Sequence, residues 1–258
     1  IAESNLIGVA SGLWAAGREV LAASFAVFLM CNAYDQIRMG IAFPRANVKL
    51  VGSHSGISIG EDGPSQMAIE DIALATSLPN FTVLVPADEI TMRAATRAMF
   101  ELDGPVYLRS GRPEVPIVYP DGVDFRIGKA NTLRQGDDVT IAACGLMVAV
   151  ALEAAYLLSQ EGIEARVLDV HTIKPIDQDT IEQAARETGA IVTVEEHVLN
   201  GGLGAAVAQA VVERCCPVRM AAVGVRNRYA ESGTPQELLK KYGLLPEDVV
   251  DAVKRVLA

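Results

Sequence analysis

The chain has 258 residues, which is enough for one large domain or two ordinary ones. Half of the residues are apolar and only 5% are aromatic, so small aliphatic side chains must fill the core, as is typical of parallel α/β sheets. The net charge is -10 and no basic stripe is present, which argues against a nucleic-acid partner. No apolar run reaches the roughly 18–20 residues of a membrane helix, so we expect no membrane partner.

The cysteines indicate a reducing environment. They show no metal-ligand spacing, and neighbouring cysteines rarely form a bridge with each other. The four residues are Cys31, Cys144, Cys215 and Cys216. We therefore expect reduced thiols, a cytoplasmic protein and no metal site built from cysteine.

The first part of the chain alternates between strand and helix patterns. The predicted helices cover residues 4–16, 25–41, 67–76 and 87–101. The predicted strands cover residues 20–24, 48–52, 81–85 and 105–108. This alternation implies a mostly parallel sheet with right-handed crossovers, and Asp88 is well placed to cap the last of these helices.

A proline-rich stretch separates this part from a second alternation. We predict a first domain at 1–112, a linker at 113–124 and a second α/β domain at 125–258. The predicted strands of the second domain cover residues 139–144, 165–170, 190–194 and 218–225. Its predicted helices cover residues 146–160, 177–188, 204–213, 235–242 and 246–257.

A glycine-rich stretch at 52–65 follows the buried strand pattern at 48–51. Its glycines and Pro64 predict a loop without regular structure. The loop carries His54, Glu61 and Asp62, and Gln66 follows it. Polar groups on a loop after a buried strand are typical of active sites in α/β folds, whereas a surface turn with hydrated acids is the alternative.

The segment Gly-Glu-Asp-Gly-Pro-Ser-Gln-Met at 60–67 closely resembles the pyrimidine-binding domain of the transketolase family, whose members use thiamine diphosphate. Ile-Ala-Glu-Ser-Asn at 1–5 is similar to the family's Gly-Ile-Ala-Glu-Gln-Asn. The resemblance implies that Glu3 is the carboxyl group that activates the pyrimidine ring of the cofactor. An ordinary acid in the first turn of a helix, stabilised by the helix dipole, is the alternative.

Ser-Phe-Ala-Val-Phe at 24–28 resembles the family segment whose aromatic side chains enclose the pyrimidine. The resemblance implies that Phe28 stacks on the ring and that Phe25 assists it, with ordinary core packing as the alternative. Gln66 stands where other transketolases have histidine, and its neutral amide can hydrogen-bond cofactor or substrate but cannot titrate. Many relatives carry arginine near Asn32, whose role stays open.

Three residues match positions that bind the sugar phosphate in the family. The resemblance implies that His54 contacts the sugar or its phosphate and that Asp62 contacts a sugar hydroxyl. It also implies that Arg112 grips the phosphate, which suits the bidentate geometry of a guanidinium group. Arg109 is a weaker candidate, with a hydrated charge at a strand end as the alternative.

The second half also matches the family, at 172–177, 195–197 and 201–204. In the family this domain supports the dimer and the fold. We therefore interpret His171 and His197 as structural residues. The glycines at 201–204 lack the full spacing of a nucleotide-binding loop.

One half of a thiamine site is missing from the sequence. Family enzymes hold the diphosphate and Mg²⁺ in another domain through a Gly-Asp-Gly motif, which these 258 residues do not contain. We therefore expect that this chain alone binds no metal and acts with an N-terminal transketolase subunit or domain. Because Glu3 lies so close to the start of the sequence, we also expect an upstream portion.

The resemblance implies transfer of a two-carbon ketol group between sugar phosphates by a homodimer within a larger assembly, as in the pentose phosphate pathway. Another thiamine enzyme is the alternative, either a deoxyxylulose-phosphate synthase or the β subunit of a 2-oxoacid dehydrogenase. A dimerising subunit that has lost catalysis is a further alternative.

Overall fold

The computed structural model describes residues 2–258; Ile1, which opens the predicted first domain and the motif around Glu3, lies outside the described residues. The described chain forms two five-stranded, mostly parallel sheets flanked by helices, which confirms the predicted α/β class. None of the helices between residues 2 and 258 is long and apolar enough to cross a membrane.

The first part of the chain supplies four parallel strands in the spatial order β1-β2-β4-β3. These strands are β1 (Val20–Phe25), β2 (Val48–Ser53), β3 (Thr82–Leu84) and β4 (Val106–Arg109). The helices of this part are α1 (Glu3–Ala15), α2 (Tyr34–Ile37), α3 (Asp71–Ser77) and α4 (Glu89–Glu101).

The second part supplies six strands, β5 (Asn131–Arg134), β6 (Val139–Ala143), β7 (Ala165–Asp169), β8 (Thr172–Lys174), β9 (Ala190–Val198) and β10 (Arg219–Val225). Its helices are α5 (Met147–Gln160), α6 (Gln178–Thr188), α7 (Leu203–Glu213), α8 (Pro235–Lys241) and α9 (Pro246–Leu257). The second sheet has the order β10-β9-β6-β7-β5, in which only the edge strand β5 is antiparallel to its neighbour.

The predicted helix at 25–41 is wrong in its start and in its regularity. Phe25 is the last residue of β1, paired with Ser53 of β2. The helical path that follows is interrupted by two π-helical turns, at Phe28–Asn32 and Arg38–Ala42, on either side of the short α2. Such turns shift the helical register, so side chains no longer follow a simple 3.6-residue period.

The loop after β2 also differs from its prediction. A 3₁₀-helical segment occupies Ile57–Asp62 and is kinked at Gly60, so the stretch is not entirely irregular. The following helix begins at Asp71 and not at 67, because Ala68 forms a β-bridge with Ser55 and the chain bends at residues 69–70. This bridge ties the start of the loop to the segment that leaves it.

The strands β5 and β8 were not predicted, and β8 connects the two halves of the chain. It lies in the second half of the sequence but pairs antiparallel with β3, so it forms the edge of the first sheet. The second half of the chain thus contributes one strand to the sheet of the first half. The boundaries at 112 and 124 stay a prediction.

The proline-rich stretch is fastened at a helix N-terminus. Asp88 caps α4 as predicted, because its Oδ1 accepts the Thr91 N–H at 2.8 Å. Its Oδ2 accepts the N–H groups of Val118 at 2.9 Å and Tyr119 at 3.0 Å. The Tyr119 hydroxyl then donates to Asp169 Oδ2 at 2.7 Å, so this stretch is tied to both halves of the chain.

One apolar cluster contains side chains from both halves. Leu50 and Tyr107 of the first sheet belong to it together with Leu168 and Ile191 of the second part. Burial of aliphatic side chains stabilises by about 25 cal/mol per Å² of apolar surface, so this shared core holds the halves together.

We expect Asp169 to make the stability of the protein depend on pH. This carboxyl group is fully buried, and burial raises its pKa to about 7. The native state therefore retains a proton that the unfolded chain loses near its ordinary pKa of 3.8, so stability falls as pH rises from about 4 to 7. In D169N the loss of unfolding free energy between pH 5 and pH 8 should shrink by about 2 kcal/mol.

Urea unfolding at the two pH values measures this difference. The control is D137N, since Asp137 is almost fully exposed, and this variant should follow the unmodified chain. An unchanged pH dependence in D169N would contradict the prediction.

Candidate active site

The candidate residues gather at the carboxyl ends of two neighbouring strands. β1 and β2 run parallel, and Ser24 lies opposite Gly52 while Phe25 lies opposite Ser53. The chain therefore leaves both strands at the same edge of the sheet, which is where parallel α/β folds bind their ligands. His54 follows directly after β2 and has a φ of 58°, in the left-handed region that few residues adopt.

Glu3 is buried in the first turn of α1, which packs against β1. Only 6% of its surface is exposed. The Ser24 hydroxyl donates to Glu3 Oε1 at 2.8 Å and so fixes the plane of the carboxyl group. Sequence reasoning named Glu3 and quoted Ser24 within the motif at 24–28, but it missed the contact between them, which depends on where β1 ends beside α1.

Three rings form a continuous stack beside this carboxyl group. The ring of Phe25 lies 3.9 Å from that of His54, with 12° between their planes. The ring of Phe28 lies 5.9 Å from Phe25 on a nearly parallel plane. All three side chains are half-buried, so the stack borders open space, although Phe25 also packs against an apolar cluster of the core. The aromatic residues of the motif at 24–28 are thus brought together with His54.

Asp62 and Arg112 form an ion pair with 3.1 Å between Asp62 Oδ1 and Arg112 Nη1. Arg112 Nη1 also donates to the Ile59 carbonyl at 3.2 Å. The two charged side chains are 36% and 44% exposed, so their pairing contributes at most about 1 kcal/mol and an anionic ligand can compete for the guanidinium group. The described contacts do not join this pair to the ring stack.

Among the described hydrogen bonds, Gln66 makes only local contacts, and Asn32 makes one long contact with α1. The Gln66 N–H donates to the Gly63 carbonyl at 3.1 Å, and Gln66 Oε1 accepts from the neighbouring Ser65 hydroxyl. Asn32 is exposed, and its carbonyl oxygen lies 3.5 Å from the Ser4 hydroxyl. Their predicted roles stay predictions.

Arg109 is buried, so its interpretation as a hydrated charge is wrong. Its Nε donates to Asp71 Oδ2 at 2.8 Å, and the Tyr107 hydroxyl donates to the same oxygen at 2.7 Å. Arg109 Nη2 donates to the carbonyl groups of Ala68 at 3.1 Å and Glu196 at 3.0 Å. The guanidinium group is thus engaged by internal partners.

Two adjacent acids on β9 are buried on opposite sides of the strand. Glu195 accepts the N–H groups of Leu203 at 2.7 Å and Gly204 at 2.9 Å, at the N-terminus of α7. Glu196 Oε1 accepts the N–H of Ser58 at 2.5 Å, in the loop after β2. Burial raises the pKa of both carboxyl groups to about 7. Sequence reasoning had no signal that Glu196 reaches this loop.

The two histidines of the second half have structural contacts. Burial lowers the pKa of each to about 4, so both rings are neutral at pH 7. His197 Nδ1 donates to the Val198 carbonyl at 2.6 Å, and its Nε2 accepts from the Ala73 N–H at 3.3 Å. His171 stacks on Phe125 with 4.0 Å between ring centres. These contacts hold backbone segments together.

A cavity of about 470 Å³ is lined by residues 113–115 and 117 of the proline-rich stretch. Ser55, Arg109 and Glu196 line it together with Gly145 at the end of β6. Its lining includes neither Glu3 nor the ring stack. Within residues 2–258, no group of three or more His, Cys, Asp or Glu side chains is arranged to hold a metal ion.

Two family models match the chain. The model of the transketolase pyrimidine-binding domain matches residues 1–118, and the model of the transketolase C-terminal domain matches residues 128–249. Human transketolase is 42% identical over 262 aligned residues; the match covers 100% of this chain and 41% of the human protein. The chain thus corresponds to less than half of that relative.

Proteins of comparable length are also similar. The 6-deoxy-6-sulfo-D-fructose transketolase subunit SqwH of Clostridium sp. (strain MSTE9) is 41% identical over 99% of this chain and 79% of the relative. The solved structure described as "Split gene transketolase, inactive beta4 tetramer" is 48% identical and superposes with a TM-score of 0.94, over 100% of this chain and 82% of that one. These matches show that the chain belongs to the transketolase family.

Proposed function

We propose that the chain is one subunit of a split transketolase, which transfers a two-carbon ketol group from a ketose phosphate to an aldose phosphate. The observation that carries this proposal is the buried carboxyl group of Glu3, oriented by Ser24 next to the Phe25–Phe28 pair. A similar protein named as a transketolase subunit for a sulfonated sugar supports the same reaction class.

The residues of this site fit the pyrimidine half of thiamine diphosphate. A buried carboxyl group suits the polar edge of an aminopyrimidine ring, and the half-buried aromatic rings suit its flat face. The bound cofactor supplies the nucleophilic carbon and the electron sink for breaking and forming the carbon–carbon bond. Glu3 would share a proton with the ring nitrogen, Phe25 and Phe28 would cover the faces of the ring, and the Gln66 amide would hydrogen-bond the cofactor.

His54, Asp62 and Arg112 serve the substrate in this proposal. His54 presents an imidazole edge at the end of β2, and its ring is held by stacking on Phe25. Arg112 is the phosphate ligand, because its guanidinium group is partly exposed and its internal ion pair is weak. Asp62 is released from Arg112 when phosphate binds. Its carboxylate can then accept a hydrogen bond from a sugar hydroxyl.

A partner chain supplies the other half of the site. The 258 residues contain no Gly-Asp-Gly motif, and the match covers only 41% of human transketolase. The similar split-gene structure is described as an inactive tetramer of one chain type, which supports a need for a second chain. We infer that an N-terminal transketolase subunit holds the diphosphate and Mg²⁺, and that two copies of this chain pair within a cytoplasmic assembly.

We expect ketol transfer only when a chain that carries Gly-Asp-Gly is present. The test uses xylulose 5-phosphate as donor and ribose 5-phosphate as acceptor, with thiamine diphosphate and Mg²⁺, and follows product formation. The native gene product is tested alone and with its co-purified partner, and the partner alone is the control. Activity with pyruvate as donor, and none with xylulose 5-phosphate, would instead indicate another thiamine enzyme.

We expect E3Q to lower kcat by about 10² or more in the complete assembly, because the amide cannot exchange a proton with the ring nitrogen. The KM for the sugar substrates should change little, since Glu3 lies on the cofactor side of the site. The control is E19Q, an exposed acid after α1 that should keep full activity. Full activity of E3Q would favour a subunit that serves only assembly.

We expect R112A to raise the KM for a phosphorylated acceptor by about tenfold or more, because charge-assisted hydrogen bonds to the phosphate are lost. The KM for an unphosphorylated aldehyde such as glycolaldehyde should stay nearly constant. R93A removes an exposed arginine that pairs with Glu89 on α4 and serves as the matched control. Equal effects on both acceptors would contradict phosphate binding by Arg112.

A further inference from the structure

The loop that carries His54 and Asp62 is held in its middle by a residue from the second half of the chain. Glu196 lies on β9, which belongs to the other sheet, and only 3% of its surface is exposed. Its Oε1 accepts the N–H of Ser58 at 2.5 Å. Ser58 stands four residues after His54 and four residues before Asp62, so this one bond lies between the two candidate substrate residues.

The loop is shaped to receive this carboxyl group. Gly56 has a φ of 81°, and a Cβ at this position would collide with the Glu196 carboxyl group. The Gly56 N–H donates to the Ala68 carbonyl at 2.8 Å, which holds the backbone close to β9. A side chain here would displace either the Glu196 carboxyl group or the loop, and the positive φ also favours glycine, so this contact depends on Gly56.

The backbone of Glu196 is fixed as firmly as its side chain. Its carbonyl accepts from Arg109 Nη2 at 3.0 Å, and Arg109 is paired with the buried Asp71. The anchoring carboxyl group therefore stands on a strand that is already tied to the first sheet. It cannot follow the loop if the loop moves.

The same anchor reaches the candidate phosphate ligand. Ile59, the residue after Ser58, is buried, and its carbonyl accepts from Arg112 Nη1 at 3.2 Å. A displacement of Ser58 would therefore move the carbonyl that orients Arg112 as well as the segment that ends at Asp62.

We propose that Glu196 is a positioning residue for substrate binding: its hydrogen bond to the Ser58 N–H holds the loop that presents His54, Asp62 and Arg112. The kinetic consequence of this inference rests on the proposed ketol transfer, whereas the anchoring of the loop does not. Glu196 itself touches no substrate in the proposal, and it acts through the loop. The second half of the chain thus contributes directly to the geometry of a site in the first half.

The first test is amide hydrogen exchange of the full chain, followed by mass spectrometry of peptides from 54–66. E196A removes the acceptor and should speed exchange at Ser58 by about tenfold or more, because a hydrogen bond to a carboxyl group contributes to protection. E196Q retains an oxygen acceptor and should stay within about threefold of the unmodified chain. E196D serves if E196A does not fold, since its shorter side chain withdraws the acceptor while the charge remains.

The adjacent Glu195 provides a matched control. It has the same side chain and similar burial, but it caps α7 and does not contact the loop. E195A should speed exchange at Leu203 and Gly204 and leave Ser58 protected. Equal exchange rates at Ser58 in E195A, E196A and E196D would contradict the proposal that Glu196 holds the loop.

The second test is steady-state kinetics of the complete assembly. E196A should raise the KM for a sugar phosphate by about tenfold while kcat changes less than about threefold, and E196Q should restore the KM. The positioning role would be overturned if E196A and E195A lowered kcat equally and E196A left the KM unchanged. If the unmodified assembly transfers no ketol group, the proposed function fails, and the exchange at Ser58 still decides whether Glu196 holds the loop.

Discussion

The buried ion pair between Arg109 and Asp71 is the interaction on which the arrangement of the site depends. A charge in the protein interior must be paired, and removal of one partner costs about 3–5 kcal/mol. Here the pair joins the end of β4 to the first turn of α3, with 2.8 Å between Nε and Oδ2. The remaining donors of Arg109 reach the Ala68 and Glu196 carbonyls, so one side chain connects both sheets to the segment at 67–70.

This connection explains why a glycine-rich loop can have a defined shape. The loop begins beside Arg109, where the Ser55 N–H donates to the Ser110 carbonyl at 3.1 Å. It ends in the segment whose Ala68 carbonyl accepts from Arg109. Glu196 fixes its middle. With three fixed points, the backbone that carries His54 and Asp62 is held before any ligand binds, and pre-organisation of this kind lowers the entropic cost of the binding that we propose.

Local patterns were sufficient for much of the fold and for part of the site. Alternating apolar runs predicted the long helices and the central strands, and Asp88 was placed correctly as a helix cap because capping depends on residues three positions apart. The strand β8 escaped prediction because it has three residues and its partner β3 lies almost 90 positions away. Phe25 was assigned to a helix because the end of β1 is set by pairing with β2, which is not visible in a local period.

The residues of the candidate site also divide into those that the sequence identified and those whose roles it did not reveal. Glu3, Phe28 and Arg112 could be named because the family motifs assign them a role. Ser24 and Glu196 also lie in matched segments, but their contacts reach across 21 and 138 positions, which no motif reveals. Contacts of this range depend on the packing of the two sheets, and they decide how the motif residues are oriented. In the proposed function the first half of the chain holds the residues for cofactor and substrate, and contacts from the second half fix part of their geometry. If the chain is a subunit of a split transketolase, as proposed, a division that keeps these two halves in one chain preserves the contacts of Glu196 and Arg109 between them.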